Sequence, residues 1–207
     1  YLAIADVREL LPNIPVLALT ATATPEVVVD IQEKLHFRQK NVFQKSFSRS
    51  NLAYVVRITE SKDEQLLKIL NSVPGTSVVY VRNRKRTKEI ADFLNLNGIS
   101  AEHFHAGLKN ETKDERQSRW KLGETRVIVS TNAFGMGIDK AEVRSVVHMD
   151  LPDSVEAYFQ EAGRAGRDEQ RAFAILLYNK TDETKLKKRI NDTFPDKERI
   201  KTTYQAL

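Results

Sequence analysis

The sequence predicts an α/β fold, a parallel sheet with helices on both faces, and three observations carry that prediction. Short apolar strands alternate with amphipathic helical stretches from about residue 51 onward, the pattern of strand–helix–strand units. Val16-Leu17-Ala18-Leu19-Thr20 reads as a continuous apolar run, as expected of a strand covered on both faces. Helix starts and stops are marked by Ser, Asn, Asp and Gly at the positions where caps belong.

Taken in order, Val16-Leu17-Ala18-Leu19-Thr20 predicts a strand, and Thr24-Pro25 predicts the start of a helix running to about His36. The stretch from Asn41 to Leu52 is polar and without helical period, which predicts a linker between a preceding domain and the next. Strands are then predicted at 51–58, 77–81, 99–104, 126–130, 143–149 and 172–178. Between them, Ser61-Lys62-Asp63-Glu64 and Asp153-Ser154-Val155-Glu156 read as capping boxes. Asn83 caps a helix ending near Asn97-Gly98, residues 110–122 form a helix closed by Gly123, and Thr181 caps a basic terminal helix. The expected organisation is 1–50 as the tail of one domain plus linker, 51–180 as a doubly wound domain, and 181–207 as a helical extension.

Composition narrows the chemistry. The 207 residues carry 33 basic and 28 acidic side chains, a net charge of +5, which suits an anionic partner. No cysteine occurs, so disulfides, thiolate nucleophiles and Cys-based metal sites are excluded. The four histidines (36, 103, 105 and 148) show no metal-ligand spacing, and no metal site is expected. No apolar run is long enough to span a bilayer, and no membrane partner is expected. The lack of an initiator Met or secretory signal suggests a piece of a longer intracellular protein. No Gly-x-x-x-x-Gly-Lys-Ser/Thr phosphate cradle occurs, and the Asp-Glu pairs at 63, 114, 168 and 182 sit at helix starts or in loops. Any nucleotide chemistry therefore has to be completed by another segment.

Three stretches carry candidate sites. The loop Ser130–Lys140 follows a buried strand, where ligands of parallel sheets collect. Its glycines let backbone approach a phosphate or merely solve a steric problem, and Asp139 can accept from a ribose hydroxyl. In Gln160-Glu161-Ala162-Gly163-Arg164-Ala165-Gly166-Arg167-Asp168, two arginines three apart lie past a helix end, with Gln160 one turn before Arg164. Arginine's planar, permanent cation suits a phosphoryl group, although cations also complement a helix C-terminus. In Arg82–Lys88, five of seven residues are basic, and Arg84 is the better candidate for phosphate contact while Lys85 and Lys88 read as a solvated face. His105 is a further phosphate candidate, and Trp120 reads as a core or interdomain packing residue.

Three segments in this order, Ala18–Thr24, Phe134–Lys140 and Gln160–Asp168, resemble motifs III, V and VI of superfamily-2 helicases. Residues 77–84 resemble motif IV, and His105-Ala106-Gly107-Leu108 resembles a segment between IV and V. Their wording is most similar to the RecQ family of ATP-dependent DNA helicases. The resemblance implies a RecA-like fold for the second domain, ATP and Mg2+ as cofactors, and the P-loop and Asp-Glu motif in an upstream RecA-like domain of the same protein. It implies Arg167 as arginine finger, Arg164 beside it on the phosphates, Gln160 on the nucleotide, and Gly137 and Asp139 on its phosphate or ribose side. It further implies single-stranded DNA met by Arg84, His105 and Thr131, with Thr20 and Thr22 coupling the nucleotide to the DNA track. The protein is then expected to unwind duplex DNA 3′→5′ in repair and recombination. Its expected place is the cytoplasm, at the nucleoid in a bacterium, or the nucleus in a eukaryote. Two other classes stay open: a nucleic-acid-binding or docking module without turnover, and a superfamily-2 helicase acting on RNA.

Overall fold

The computed structural model describes residues 2–20, 23–44, 46, 48–134 and 140–205, in two compact units, Tyr1–Ser48 and Arg49–Leu207. The first unit holds α1 (Leu2–Leu10) and α2 (Pro25–Lys34). Thr24 caps α2, its hydroxyl oxygen accepting from the Val27 N–H at 3.4 Å. Residues 16–20 form no strand, and Leu17 and Leu19 stand 77% and 84% exposed. The reason is pairing: a strand exists only against a neighbour, and the described part of this unit offers two helices and no second strand.

The second unit contains six strands: β1 (Leu52–Ile58), β2 (Thr76–Tyr80), β3 (Ala101–Phe104), β4 (Val127–Ser130), β5 (Val143–His148) and β6 (Ala172–Tyr178). They form one sheet in the order β1-β6-β5-β2-β4-β3, with every pair parallel. The central strands explain their own position. Val78 and Val79 lie opposite Ile128 and Val129 on one side and Val146 and Val147 on the other, so apolar side chains project to both faces and both need cover.

That cover comes from α3 (Lys62–Ser72), α4 (Arg84–Leu96), α5 (Asn110–Leu122) and α6 (Val155–Ala162). On one face Leu66, Leu70, Ile90 and Leu94 of α3 and α4 pack on Val79, Val129, Val147 and Leu177. On the other, Trp120 of α5 and Ala162 of α6, with Phe134, pack on Val78, Ile128, Val146 and Ala174. Helices therefore lie on both faces, as the sequence predicts. Trp120 is a core residue, its indole N–H donating to the Ser77 carbonyl at 3.2 Å. After β6 come α7 (Lys180–Thr193) and α8 (Lys197–Gln205). Among the described residues no helix is long and apolar enough to cross a membrane.

The caps differ in part from the sequence expectation. Asn83 caps α4, accepting from the Lys85 N–H at 2.8 Å, and Gly123 closes α5 at φ 84°. Ser61 precedes α3 but makes no side-chain cap; its backbone (φ −104°, ψ 87°) lies outside the extended region from which caps reach back. At α6 the cap is Ser154, which accepts from Ala157, because Asp153 is engaged by Arg82 and Arg189. Thr181 lies within α7; the cap is Asn179, paired reciprocally with Asp182. Asp182 is also ion-paired with Lys62 at 2.7 Å, both largely buried, and Lys62 donates to the Met149 carbonyl at 2.5 Å. This pair seats α7 on the carboxyl end of β5.

Candidate functional site

The chemistry-bearing residues of the second unit fall into two groups. The first is built on α6 and the turn after it. A helix ends with carbonyls that have no partner of their own, and here they find donors outside the helix. Arg49 donates from Nη1 to the Gly163 carbonyl at 3.1 Å and from Nη2 to the Gly166 carbonyl. Asn51 donates to the carbonyls of Gly166 and Gln170, both at 2.8 Å. From the sheet side, the Gly166 N–H donates to Val143 at 2.8 Å. Gly166 itself turns at φ 62°, and a Cβ there would stand 2.7 Å from Ala172 Cβ and 2.8 Å from the Gln170 carbonyl oxygen. The glycine is required both by conformation and by close approach. Arg164 and Arg167 lie on this turn, Arg164 half-buried and Arg167 exposed, and Gln160 is exposed on the last turn of α6. The turn is completed by Asp168, bound to Arg144 at 2.6 Å, and that guanidinium holds the carboxyl below its ordinary range.

Beneath α6, Tyr80 is buried, stacked on His148 with ring centroids 5.1 Å apart. Its hydroxyl donates to the Phe134 carbonyl at 2.9 Å. Burial pushes its phenol up, while Arg164, close enough to hydrogen-bond it, opposes that shift. His148 in turn meets Glu161 at 2.8 Å through Nε2, and the carboxylate partner assigns the ring proton to that nitrogen. Segments from β2, β5, α6 and the end of β4's loop are thus joined through one buried polar cluster.

The second group sits past the carboxyl ends of β2 and β3. Arg84 and His105 both crowd Gly107, where a Cβ would stand 3.1 Å from Arg84 Nη1 and 3.3 Å from His105 Nδ1. Nearby, His103 stacks on His105 at 5.8 Å, and Arg116 donates to the His103 carbonyl at 2.5 Å. The field is cationic. Burial first, then Arg116 and His105, lower the His103 imidazole to about 4. Burial, Arg84 and Arg116 lower His105. Such a patch favours an anion, since bound negative charge relieves both the crowding of cations and the depressed imidazoles.

The structure therefore places Gln160 on the last turn of α6 with Arg164 and Arg167 on the turn that follows it, and brings Arg84, at the start of α4, to the same spot as His105, in the loop after β3. Thr131 is 8% exposed; its hydroxyl accepts from the Ala133 N–H at 3.4 Å, so it shapes its own loop and is not open to solvent. Thr20 lies in the first unit, exposed and outside regular structure. Thr22, Gly137 and Asp139 lie outside the described residues. Among the described residues no group of three or more His, Asp or Glu could hold a metal ion. Sequence reasoning missed Arg49, Asn51, Tyr80 and His148. Arg49 and Asn51 fell in a stretch read as linker; the one available signal was a charged and an amide side chain immediately before an apolar strand.

Known proteins are similar to this chain in sequence and in fold. Residues 61–169 match the family described as Helicase conserved C-terminal domain. ATP-dependent DNA helicase RecQ of Bacillus subtilis is 41% identical over 176 residues, covering 84% of this chain and 30% of that protein. RecQ-like DNA helicase blm-1 of Caenorhabditis elegans is 39% identical over 197 residues, covering 93% of this chain and 20% of that protein. A protein of Acanthamoeba polyphaga mimivirus named as a candidate ATP-dependent RNA helicase, R290, is 40% identical over 88% of this chain and 34% of its own length. The chain thus spans between 20% and 34% of the length of these relatives. Among solved structures, the Escherichia coli DEAD-box protein SrmB, bound to regulator of ribonuclease activity A, has a TM-score of 0.60 at 26% identity, over 66% of this chain and 82% of that one. Saccharomyces cerevisiae Dbp5, bound to Gle1, reaches a TM-score of 0.70 over 93% of this chain and 51% of its own at 21% identity, a likeness of fold. The six-stranded parallel sheet is the RecA-like fold of a helicase C-terminal domain. This chain belongs to the helicase conserved C-terminal domain family, and within superfamily 2 it is of RecQ type.

Proposed function

We propose that this chain is the arginine-donating half of the motor of an ATP-dependent DNA helicase, travelling 3′→5′ on one strand and separating duplex DNA in repair or recombination. Residues 1–50 are the tail of an upstream RecA-like domain and the linker, 51–180 the second RecA-like domain, and 181–207 a helical extension. The upstream domain of the same protein supplies the P-loop and the Asp-Glu motif, so this chain does not turn over alone.

One observation carries the reading most. Two arginines stand three apart on a turn whose backbone is held from both sides, by Arg49 and Asn51 and by Val143. Preorganised cations of this kind suit the charge that spreads over a transferring phosphoryl group. The donor set also fits how ATP and Mg2+ would be shared. The described residues offer cations and an amide, Arg164, Arg167 and Gln160, and no carboxylate cluster for the ion, which is held by the upstream domain. Bound ATP supplies the γ-phosphoryl group whose transfer to water drives the cycle.

Arg167 is the finger on the γ-phosphate, Arg164 neutralises charge beside it, and Gln160 orients against the phosphate oxygens or the attacking water. Gly137 and Asp139 face the ribose and phosphate side. Loss of the γ-phosphate removes the attraction that Arg164 and Arg167 felt, and the second domain is released to shift along its strand. Arg84 and His105 grip that strand's phosphates, with Thr131 at the edge of the track, while Thr20 and Thr22 couple the two events. A second reading, action on RNA, has the name of the mimivirus relative in its favour.

The test uses the complete protein and DNA-stimulated ATP hydrolysis. Arg167→Ala is expected to lower turnover by at least about 10³-fold, as for other arginine fingers, with single-strand affinity within about twofold. Turnover that survives Arg167→Ala refutes the motor role, and an equal loss of DNA binding refutes the separation of roles. Competition between DNA and RNA strands of one sequence decides the substrate, because only the 2′-hydroxyl differs along the backbone.

A further inference from the structure

We infer that Arg49 and Asn51 are positioning residues for the arginine pair, holding the Gly163 and Gly166 carbonyls and so setting where Arg164 and Arg167 stand. The inference rests on the reading that those two arginines act on ATP, and goes beyond it by assigning what aims them.

The geometry is specific. The carbonyls that Arg49 bridges belong to Gly163, directly before Arg164, and Gly166, directly before Arg167. A planar guanidinium fork meets two acceptors at once, and a lysine ammonium lacks that fixed spacing. Asn51 adds a second donor to Gly166 and ties it to Gln170, while its own carbonyl accepts from Ala172 at 2.9 Å. The turn is thereby locked to the β1–β6 pairing, whose register begins at Leu52 and Ala172. Both arginines leave the backbone one residue after a carbonyl held in this way, so displacing Arg49 displaces both together. Misplacement of a catalytic group by about 1 Å costs on the order of 10²-fold in rate.

The alternative is a plain helix-end cap, which would matter for stability alone. DNA-stimulated hydrolysis by the complete protein separates the two, measured well below the melting temperature for Arg49→Ala, Arg49→Lys and Asn51→Ala. Leu70→Val serves as the comparison, since it loosens the opposite face of the sheet and touches none of these groups. Arg49→Ala is expected to lower kcat about thirtyfold, with KM for ATP and single-strand affinity within about twofold, and Arg49→Lys to fall between it and wild type. Leu70→Val, at a comparable loss of Tm, keeps its kcat. A fall in kcat that follows Tm equally in Arg49→Ala and Leu70→Val would overturn the inference and leave only a cap. Wild-type kcat in Arg49→Ala beside a silent Arg167→Ala would overturn it too, with the motor reading intact. Normal turnover in Arg164→Ala and Arg167→Ala would remove the reading on which it rests.

Discussion

Replacing Gly166 with alanine tests the close approach at the centre of the candidate site. Two terms add. The first is conformational: at φ 62° an L-side chain is strained by about 1–2 kcal/mol. The second is steric: the new Cβ would lie 2.7 Å from Ala172 Cβ, 2.8 Å from Asn51 Nδ2 and 2.8 Å from the Gln170 carbonyl oxygen. Ala172 is held in β6 and the Gln170 contact is to backbone, so the chain must shift, and overpacking of this kind costs about 1–3 kcal/mol. A less flexible unfolded chain returns about 0.4–1 kcal/mol. Gly123→Ala isolates the first term, since Gly123 turns at φ 84° with nothing within 4 Å of its would-be Cβ. The expected cost is about 0.5–1 kcal/mol for Gly123→Ala and about 2–3 kcal/mol for Gly166→Ala. The difference corresponds to roughly 4–8 °C in Tm for a unit of this size. Urea unfolding followed by fluorescence reads it directly, because the chain has one tryptophan and it is 1% exposed. Equal costs for the two variants would refute the close packing of the turn against β6.

Two other perturbations follow from buried or crowded charge. Lys62→Met strands the Asp182 carboxylate in a site where it is almost wholly buried, with an expected loss of about 3–5 kcal/mol; Lys62→Met with Asp182→Leu should recover most of it, short of the cap on α7, and a single variant as stable as wild type would refute the pair. The His103 imidazole is lowered to about 4 in the folded chain from its ordinary value of 6.5, so the unfolded chain binds more protons between those values and stability falls as pH drops from about 6.5 to 4. His103→Gln should make the melting temperature less dependent on pH across that window, and an unchanged slope would show that the imidazole protonates freely in the fold.

β4 and β6 were legible because a parallel sheet covered on both faces imposes continuous apolar runs, here Val127-Ile128-Val129 and Ala172–Leu177. The predicted strand at 172–178 matches β6 residue for residue, and Gly123 is where the chain turns left-handed at the end of α5. What was not legible depends on partners far away in the chain. Residues 16–20 have the composition of a buried strand but no strand in the described part of their unit to pair with. Asp153 has the spacing of a cap but is taken by Arg82 and Arg189 from other elements, and Ser154 takes its place. Arg49 and Asn51 illustrate the same limit at the site. Their partners lie more than a hundred residues on, at backbone carbonyls that any sequence possesses. Side chains that recognise main chain leave no complementary letter to find. The two arginines, by contrast, were visible because their chemistry lies in the residues themselves.

The order of strands has a mechanical consequence. The first strand and the last lie side by side and point the same way, in register from Leu52–Ala172 to Ile58–Tyr178. Tension applied where the chain enters at Arg49 and leaves at Asn179 therefore runs along their shared ladder. Its hydrogen bonds are loaded in shear, all resisting together, whereas a ladder pulled from one end yields bond by bond. A pull along this line therefore meets the whole β1–β6 ladder at once.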